Sequence, residues 1–309
     1  MDTNEWANTT WRDLAQVRAH LEAGADPDAL IFGYQRPLDF AVEGGTPEVV
    51  AELARHVRDV DAEYQGRTAL WRAVFDNRPD NARALVEAGA DPWRPMMAGW
   101  SPGRLALAGP HPDLFSPPRA ELSAAETAAA AEAPRLIRAL SDLYYDGFSL
   151  ACVADITTDE AARRLKAAAV EAPGYEEDGD FGDYDDSVVG AIDVPGGCVI
   201  VQPWAYGASM PGVTKALSTG TVCYAMYANP KSGNQGSVAR DGVLEGWDLH
   251  PGGWAGANDT AEEVLLTYLY HHRAEAFCFA YAGLRPTDSR AIIGPADMWL
   301  QLPERDYWR

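Results

Sequence analysis

The chain has 309 residues, of which 47% are hydrophobic and 10% aromatic, and its formal net charge is -21. This hydrophobic content excludes a wholly disordered protein, and the length suffices for about two domains of ~150 residues each. A negative charge of this size repels phosphate groups, so nucleic acid and anionic membranes are not expected as partners. A basic protein would be attracted, although the same charge is also typical of an acidic cytosolic protein that only needs to stay soluble.

The cysteines and the N-terminal residues predict a cytoplasmic protein. The four cysteines are widely separated, and three lie in apolar runs, where a thiol behaves as a small buried hydrophobe. Residues 1–5 are polar and lack the apolar core of a signal peptide. No run approaches the ~20 apolar residues that cross a bilayer. We therefore expect reduced thiols and a cytoplasmic location.

A period of 33 residues organises the first third of the chain. Gly33, Gly66 and Gly99 lie 33 residues apart, and each precedes a short apolar segment. The sequence Gly-Ala-Asp-Pro occurs at 24–27 and again at 89–92, each time after a longer apolar segment. Glycine supplies the positive φ that ends a helix, and proline cannot continue one. The period predicts repeated helix pairs, stacked as a solenoid.

One repeat carries a recognisable motif. It matches the pattern G-x-T-P-L-H-x-A at Gly66, Thr68, Leu70 and Ala73. The pattern is broken at Ala69, where proline is usual, and at Trp71, where histidine is usual. Residues from about 13 to 109 resemble ankyrin repeats, in three to four copies after a degenerate N-terminal cap.

The resemblance implies protein–protein binding through the loops and first helices of the repeats. Aromatic and arginine side chains dominate the energetics of protein interfaces. The candidate partner-binding residues of this kind are Tyr34, Arg36, Tyr64, Arg67, Trp71, Arg72, Trp93 and Trp100. Two alternatives stay open at this point: Trp71 packs between repeats, or the solenoid only braces the domain that follows it.

Three segments are predicted along the chain. The proline-dense stretch 109–118 cannot continue a helix stack and ends an ankyrin-repeat domain over 1–118. A linker segment over 119–148 contains an alanine-rich helix that starts near Ser123 and ends near Gly147. An α+β domain then occupies 149–309.

The α+β assignment comes from a change in hydrophobic pattern. Apolar runs at 149–154, 187–192, 198–201 and 221–227 predict strands, with one or two more within 237–249. Helices are predicted from Thr158 through Ala169, at 213–217, at 260–271 and at 274–282. This order of elements favours a mainly antiparallel sheet with helices.

Several stretches of this second domain resemble a bacterial family of domains of unknown function that is sometimes joined to ankyrin repeats. The likeness is carried by 152–153, 158–165, 196–203 and 216–222. Gln202 stands where that family usually has an acidic residue. The family has no known activity that the resemblance could imply for this chain.

The sequence contains no recognisable catalytic constellation. Ser209 lacks the G-x-S-x-G pattern of a serine nucleophile. His271 and His272 are adjacent and are predicted to point apart on a helix, so a shared metal is not expected. The glycine-rich loops lack the strand–turn–helix setting of a phosphate site. We expect no catalytic residue, no bound metal and no cofactor.

The richest carboxylate cluster lies at 176–186. It does not fit the calcium-binding loop pattern, and a flexible acidic excursion is the simpler interpretation. The alternative is an acidic docking patch for a basic partner, formed by Asp178, Asp180, Asp183, Asp185 and Asp186.

Together these features favour a non-catalytic protein that binds another protein through its ankyrin repeats. The acidic charge suggests a sharper hypothesis, namely an immunity-type or defence-related inhibitor of a basic protein. The alternative is an enzyme whose active site lies in the α+β domain and whose repeats serve for targeting. A deep pocket with clustered titratable residues would favour the enzyme.

Overall fold

The computed structural model describes residues 5–141, 147–173 and 187–308. The chain forms two compact units, one made of Met1–Ala130 with Ala255–Leu269 and the other of Ala131–Trp254 with Tyr270–Arg309. The helices are α1 Leu14–Glu22, α2 Pro37–Gly44, α3 Pro47–Ala54, α4 Ala69–Phe75, α5 Pro79–Glu87, α6 Pro102–Ala108, α7 Ala124–Leu140, α8 Thr158–Leu165, α9 Pro211–Leu217, α10 Ala261–Leu269, α11 Ala274–Tyr281 and α12 Arg290–Ile293. The strands are β1 Ser149–Ala154, β2 Ala168–Val170, β3 Val188–Val194, β4 Gly197–Gln202, β5 Val222–Asn229, β6 Gly233–Arg240, β7 Val243–Leu249 and β8 Met298–Gln301.

The first unit consists of helix pairs in two columns. The first helices α2, α4 and α6 pack in one column, and the second helices α1, α3 and α5 pack in the other. The helix starts are fixed by side chains, as the sequence predicts: the Thr68 hydroxyl accepts a hydrogen bond from the backbone N–H of Trp71 at 3.1 Å. Between repeats, the buried Asn81 amide donates to the carbonyl of Val42 at 2.9 Å.

The second unit is built on an eight-stranded antiparallel sheet in the order β2-β8-β3-β4-β1-β5-β6-β7. All six residues of the central strand β1 are buried. Val153 and its neighbours pack with Leu165 of α8 and Leu217 of α9 on one face of the sheet. On the other face, Tyr224 of β5 contacts Phe277 of α11 with ring centroids 5.4 Å apart. The predicted fold class, ankyrin helix pairs followed by an α+β domain, is confirmed.

Helices α8 and α7 end well before the residues that the sequence predicts. Helix α8 stops at Leu165 because Lys166 adopts the left-handed conformation (φ 56), and the residues beyond it form the edge strand β2. Helix α7 stops at Leu140, where Ser141 has φ 64, rather than near Gly147. The short strands β2 and β8 are absent from the sequence-based prediction. Within the described residues, no helix is both long and apolar enough to cross a bilayer.

Candidate protein-binding surface

Three equivalent turns explain the 33-residue period. Each turn has two central residues with positive φ, as in a type I′ turn, and the second of them is the periodic glycine. The central pairs are Phe32-Gly33, Gln65-Gly66 and Ala98-Gly99. We name residues 31–35, 64–67 and 96–100 the first, second and third fingers. An L residue adopts positive φ only at a cost in energy, which is why glycine recurs at one of the two positions.

Each turn is closed by a residue that the sequence singled out as a candidate contact. The backbone N–H of the fourth turn residue donates to the carbonyl of the first, at 3.2 Å for Tyr34, 3.1 Å for Arg67 and 2.8 Å for Trp100. Tyr34, Arg67 and Trp100 therefore occupy the same position in consecutive fingers. Their surroundings differ, and this difference defines the surface.

The second and third fingers bind a distant segment of the same unit, residues 255–269. The Arg67 guanidinium donates to the carbonyl of Ala255 at 2.7 Å. The Trp100 indole N–H donates to the carbonyl of Ala261 at 2.8 Å. Helix α10 within this segment packs against α6 and against the third finger. In the second and third fingers, the side chain at the position of Tyr34 thus donates a hydrogen bond to the backbone of segment 255–269.

The second anchor of segment 255–269 is aromatic. Tyr268 of α10 meets Phe75 of α4 edge to face, with ring centroids 5.4 Å apart. Every residue of α4 is buried. The backbone of Gly109 also lies against the Tyr268 phenol, because a Cβ at Gly109 would come within 2.0 Å of the Tyr268 oxygen. Segment 255–269 is therefore an integral part of the repeat unit.

The first finger, by contrast, presents apolar side chains to solvent. Phe32 is 67% exposed and Tyr34 is 51% exposed, and their ring centroids lie 6.4 Å apart. Leu30, directly before the finger, is 47% exposed. Phe32 also holds a left-handed backbone (φ 52), which is rare for an aromatic residue and destabilising. Strained residues with exposed aromatic side chains are concentrated at binding sites.

A partly buried charged network holds the first finger against the helices. The Gln35 amide donates to the Glu43 carboxylate at 3.0 Å, and Arg72 forms an ion pair with the same carboxylate at 3.0 Å. Burial raises the pKa of Glu43, opposed by the nearby Arg72. Burial also lowers the pKa of Arg67 on the neighbouring finger. Arg72, a predicted contact residue, is only 4% exposed and serves this network.

Arg36, another candidate, links two repeats. It is 6% exposed, pairs with Asp39 at 3.2 Å and donates to the carbonyl of Ala62 at 3.0 Å. Arg36 thus clamps the first repeat onto the second. A buried side chain with these bonds satisfied is not available to a partner without rearrangement.

The two tryptophans of the candidate set at 71 and 100 are fully buried. Trp71 stacks on Phe75 with ring centroids 5.9 Å apart, so it packs inside the repeat unit. The sequence left open whether Trp71 packs inside the protein or contacts a partner, and its burial favours packing. Trp100 lies under the Arg104 guanidinium, whose carbon is 4.2 Å from the ring centroid.

The remaining sequence candidates stay predictions. Tyr64 and Trp93 are half-buried. The proposed acidic docking patch, Asp178, Asp180, Asp183, Asp185 and Asp186, lies outside the described residues. Of the eight candidate residues on the repeats, Tyr34 is the most exposed, and Phe32 lies beside it.

Sequence reasoning missed Phe32, although a signal for it was present. Phe32, Gln65 and Ala98 precede the periodic glycines at the same turn position. A polar or small residue is ordinary there, and an exposed phenylalanine is not. Comparing the repeats position by position would have identified Phe32.

The histidine pair differs from the prediction. Helix α10 ends at Leu269, and His272 has φ 59, so the two histidines lie in the turn that follows and not on a helix. Their ring centroids are 3.8 Å apart, and the rings therefore face each other instead of pointing apart. The ring nitrogen Nδ1 of His271 lies 2.7 Å from the carbonyl oxygen of Gly253.

Comparison with known proteins agrees with this geometry. A family model for ankyrin repeats, in three copies, matches residues 10–96. The potassium channel AKT3 of Oryza sativa subsp. japonica is 38% identical over 76 residues, which covers 24% of this chain but only 8% of the channel. The resemblance of 149–302 to a bacterial domain of unknown function stays a prediction. Residues 10–96 belong to the ankyrin-repeat family.

Proposed function

We propose that this chain is a non-catalytic protein-binding protein and that its first finger is the principal contact. Ankyrin repeats point to protein–protein interaction. The observation that carries the proposal is the unequal use of three equivalent turn positions. Arg67 and Trp100 hold segment 255–269, whereas Tyr34 and its neighbour Phe32 are exposed.

The partner that we propose is a basic protein. The chain carries 46 acidic against 25 basic residues, and such an imbalance accelerates association with a positively charged partner. An inhibitor that neutralises a basic protein, as immunity proteins do for toxins, fits this combination of charge and an exposed aromatic contact. Aromatic side chains at the centre of the interface would contribute much of the binding energy. The charge would raise the association rate and the selectivity.

Affinity capture with the full-length chain tests both parts of the proposal. The wild-type chain, a Phe32→Ala/Tyr34→Ala double variant and a Gln65→Ala control are immobilised and exposed to the native proteome at increasing salt. We expect basic proteins to be retained at low salt by the wild type and the control and to be lost at high salt. The double variant should retain at least about tenfold less of the partner, because removal of an aromatic hot spot costs roughly 2 kcal/mol or more.

The outcomes separate the two parts. Equal recovery by the double variant and the control would exclude the first finger as the contact. Recovery of acidic proteins alone, or retention that does not depend on salt, would exclude a basic partner while leaving the finger open to another one.

A further inference from the structure

The second unit contains an open groove of about 490 Å³ that the ankyrin function does not use. Strands β5, β6 and β7 contribute to its wall together with the chain around Tyr206 and Trp308. Four aromatic rings line it: Tyr206, Tyr227, Trp247 and Trp308. Trp247 is 52% exposed and Trp308 is 56% exposed. Exposed tryptophans that share one groove favour a binding site.

The four rings form a continuous strip. Neighbouring centroids lie 6.0 Å apart for Tyr227 and Tyr206, 5.5 Å for Tyr206 and Trp308, and 6.5 Å for Trp308 and Trp247. The first and last of these pairs are close to perpendicular, at 75° and 79°. Neighbouring rings that are nearly perpendicular leave slots between them. The whole strip is also longer than a single small cation would occupy.

A β-bulge places a carboxylate in the groove. Gly236 pairs with Leu249, but the next residue, Ser237, pairs with Trp247, so Asp248 is the extra residue of β7. Asp248 has φ 55 and lines the groove. Bulges occur beside functional sites, where they redirect a side chain. Within the described part of the chain, Asp248 forms no ion pair.

A buried hydroxyl at the same bulge lacks a partner. Ser237 is 2% exposed and lines the groove, and its Oγ has no hydrogen-bond partner among the described residues. Burying an unsatisfied hydroxyl destabilises the fold, so such groups are uncommon without a function. This is a second observation, independent of the aromatic rings, that points to a ligand.

The groove also offers several hydrogen-bond donors along the strip. The indole N–H groups of Trp247 and Trp308 and the phenol O–H groups of Tyr206 and Tyr227 make no hydrogen bond with another described residue. The Lys231 ammonium adds a further donor. Such a surface suits an extended ligand with a row of free carbonyl groups. The polyproline II helix is such a ligand, because it has no internal hydrogen bonds.

We propose that this groove binds a proline-rich peptide segment in the polyproline II conformation. Prolines occupy the slots between the aromatic rings, as in other aromatic-lined grooves that recognise this helix. The indole and phenol groups donate to the peptide carbonyls. Asp248 pairs with one basic side chain of the peptide, and the charge of Lys231 excludes a run of several basic residues at the same place.

Fluorescence anisotropy with the full-length chain tests the proposal. Two labelled peptides are compared: a proline-rich peptide with a terminal arginine, and the same peptide with glycine in place of every proline. We expect saturable binding of the proline peptide only, weakened at least about tenfold by Trp308→Ala and by Trp247→Ala. The control variant is Val243→Ala, since Val243 is 63% exposed on the same strand β7 but does not line the groove.

Two further variants examine the polar groups. Asp248→Asn should abolish the preference for a terminal arginine over a terminal glutamine. Ser237→Ala should weaken peptide binding while leaving thermal unfolding at or above the wild-type temperature, because it removes an unsatisfied polar group. Retained circular dichroism in each variant separates lost binding from lost folding.

The proposal is overturned by equal binding of the glycine peptide, by no binding of either peptide, or by binding that Trp308→Ala and Trp247→Ala leave unchanged. It is also overturned if the groove binds only a neutral oligosaccharide or a trimethyl-lysine peptide, which are included as separate probes. The Phe32→Ala/Tyr34→Ala variant should bind the proline peptide as the wild type does. A failure of this site is thereby distinguished from a failure of the ankyrin surface.

Discussion

At Phe32, a strained backbone and an exposed aromatic side chain occur in the same residue. It holds a left-handed backbone, and its ring is 67% exposed, so little burial compensates the strain. Gln65 and Ala98 occupy the same place in the other fingers with side chains that suit a surface turn better. The contact proposed above would give a reason for this strain, since strained residues cluster at functional sites.

Phe32→Asn is expected to raise the free energy of unfolding by up to about 1 kcal/mol, because asparagine adopts positive φ more readily than phenylalanine. The same substitution should weaken partner capture. Urea unfolding followed by circular dichroism measures the first effect. Gln65→Asn, at the equivalent position of the second finger, is the matched control for the turn alone. The strain argument would be contradicted if Phe32→Asn lost more stability than Gln65→Asn.

Helix α8 illustrates how one element carries a pH-dependent contribution to stability. Glu160 accepts hydrogen bonds from Arg163 Nε at 2.8 Å and from Arg164 Nε at 2.6 Å. The hydrogen bond from Arg163, followed by that from Arg164, lowers the pKa of Glu160 from 4.5 to about 2. Arg164 also donates to the carbonyl of Leu217 at the end of α9, so the ion pair steadies the packing of two helices.

Since the pKa of Glu160 is lower in the folded protein than in the unfolded chain, its contribution to stability is present above pH 4.5 and is lost as the pH falls towards 2. Carbon-detected NMR titration should find this carboxyl still ionised at pH 3.5. Glu160→Gln should destabilise the protein near neutral pH by a small amount, typical of an exposed pair, and less so at acidic pH. A Glu160 pKa near 4.5 in the NMR titration would contradict the observed geometry.

The sequence predicted elements wherever local stereochemistry decides the structure. The periodic glycines mark turns because other residues adopt positive φ at a cost, and Thr68 caps α4 because its hydroxyl satisfies a free N–H. Strand β1 was predicted with its observed bounds, since a buried central strand is a nearly continuous run of apolar residues. The edge strand β2 was missed because three residues carry no period, and its pairing with β8 depends on residues far along the chain.

The candidate surface was only partly predictable for the same reason. The fingers follow from the repeat period, but the role of each finger depends on segment 255–269, which lies more than 150 residues away in sequence. The sequence of an amphipathic helix such as α10 shows that the helix has an apolar face. It does not show which surface that face packs against. The burial of Trp100 could therefore not be foreseen, although its equivalence to Tyr34 could.

At the scale of the whole molecule, the most unusual feature is the course of the chain. The repeat unit is completed by residues 255–269, which lie between two parts of the second unit in sequence. The repeats are therefore not a module that ends at a single boundary. The buried Trp100 indole and the Tyr268–Phe75 contact both need this segment.

A fragment of residues 1–118 is expected to be less stable than the same fragment joined through a flexible linker to residues 255–269. The difference should reach several kcal/mol, since each large buried aromatic contact contributes roughly 1.5–3 kcal/mol. Thermal unfolding of both fragments measures it. A joined fragment that carries Trp100→Ala and Tyr268→Ala is the control, and equal melting temperatures for the short and the joined fragments would show that the segment is dispensable.

Because the repeat unit includes residues 255–269, its completion is delayed during synthesis. At 5–20 residues per second, a ribosome needs roughly 8–30 s to advance from α6 to α10. Throughout this interval the last repeat has been made, while the helix that covers Trp100 and Phe75 has not. The nascent chain therefore presents an uncovered aromatic face to chaperones in the cell for many seconds. The repeat unit of this protein, although first in sequence, is completed late.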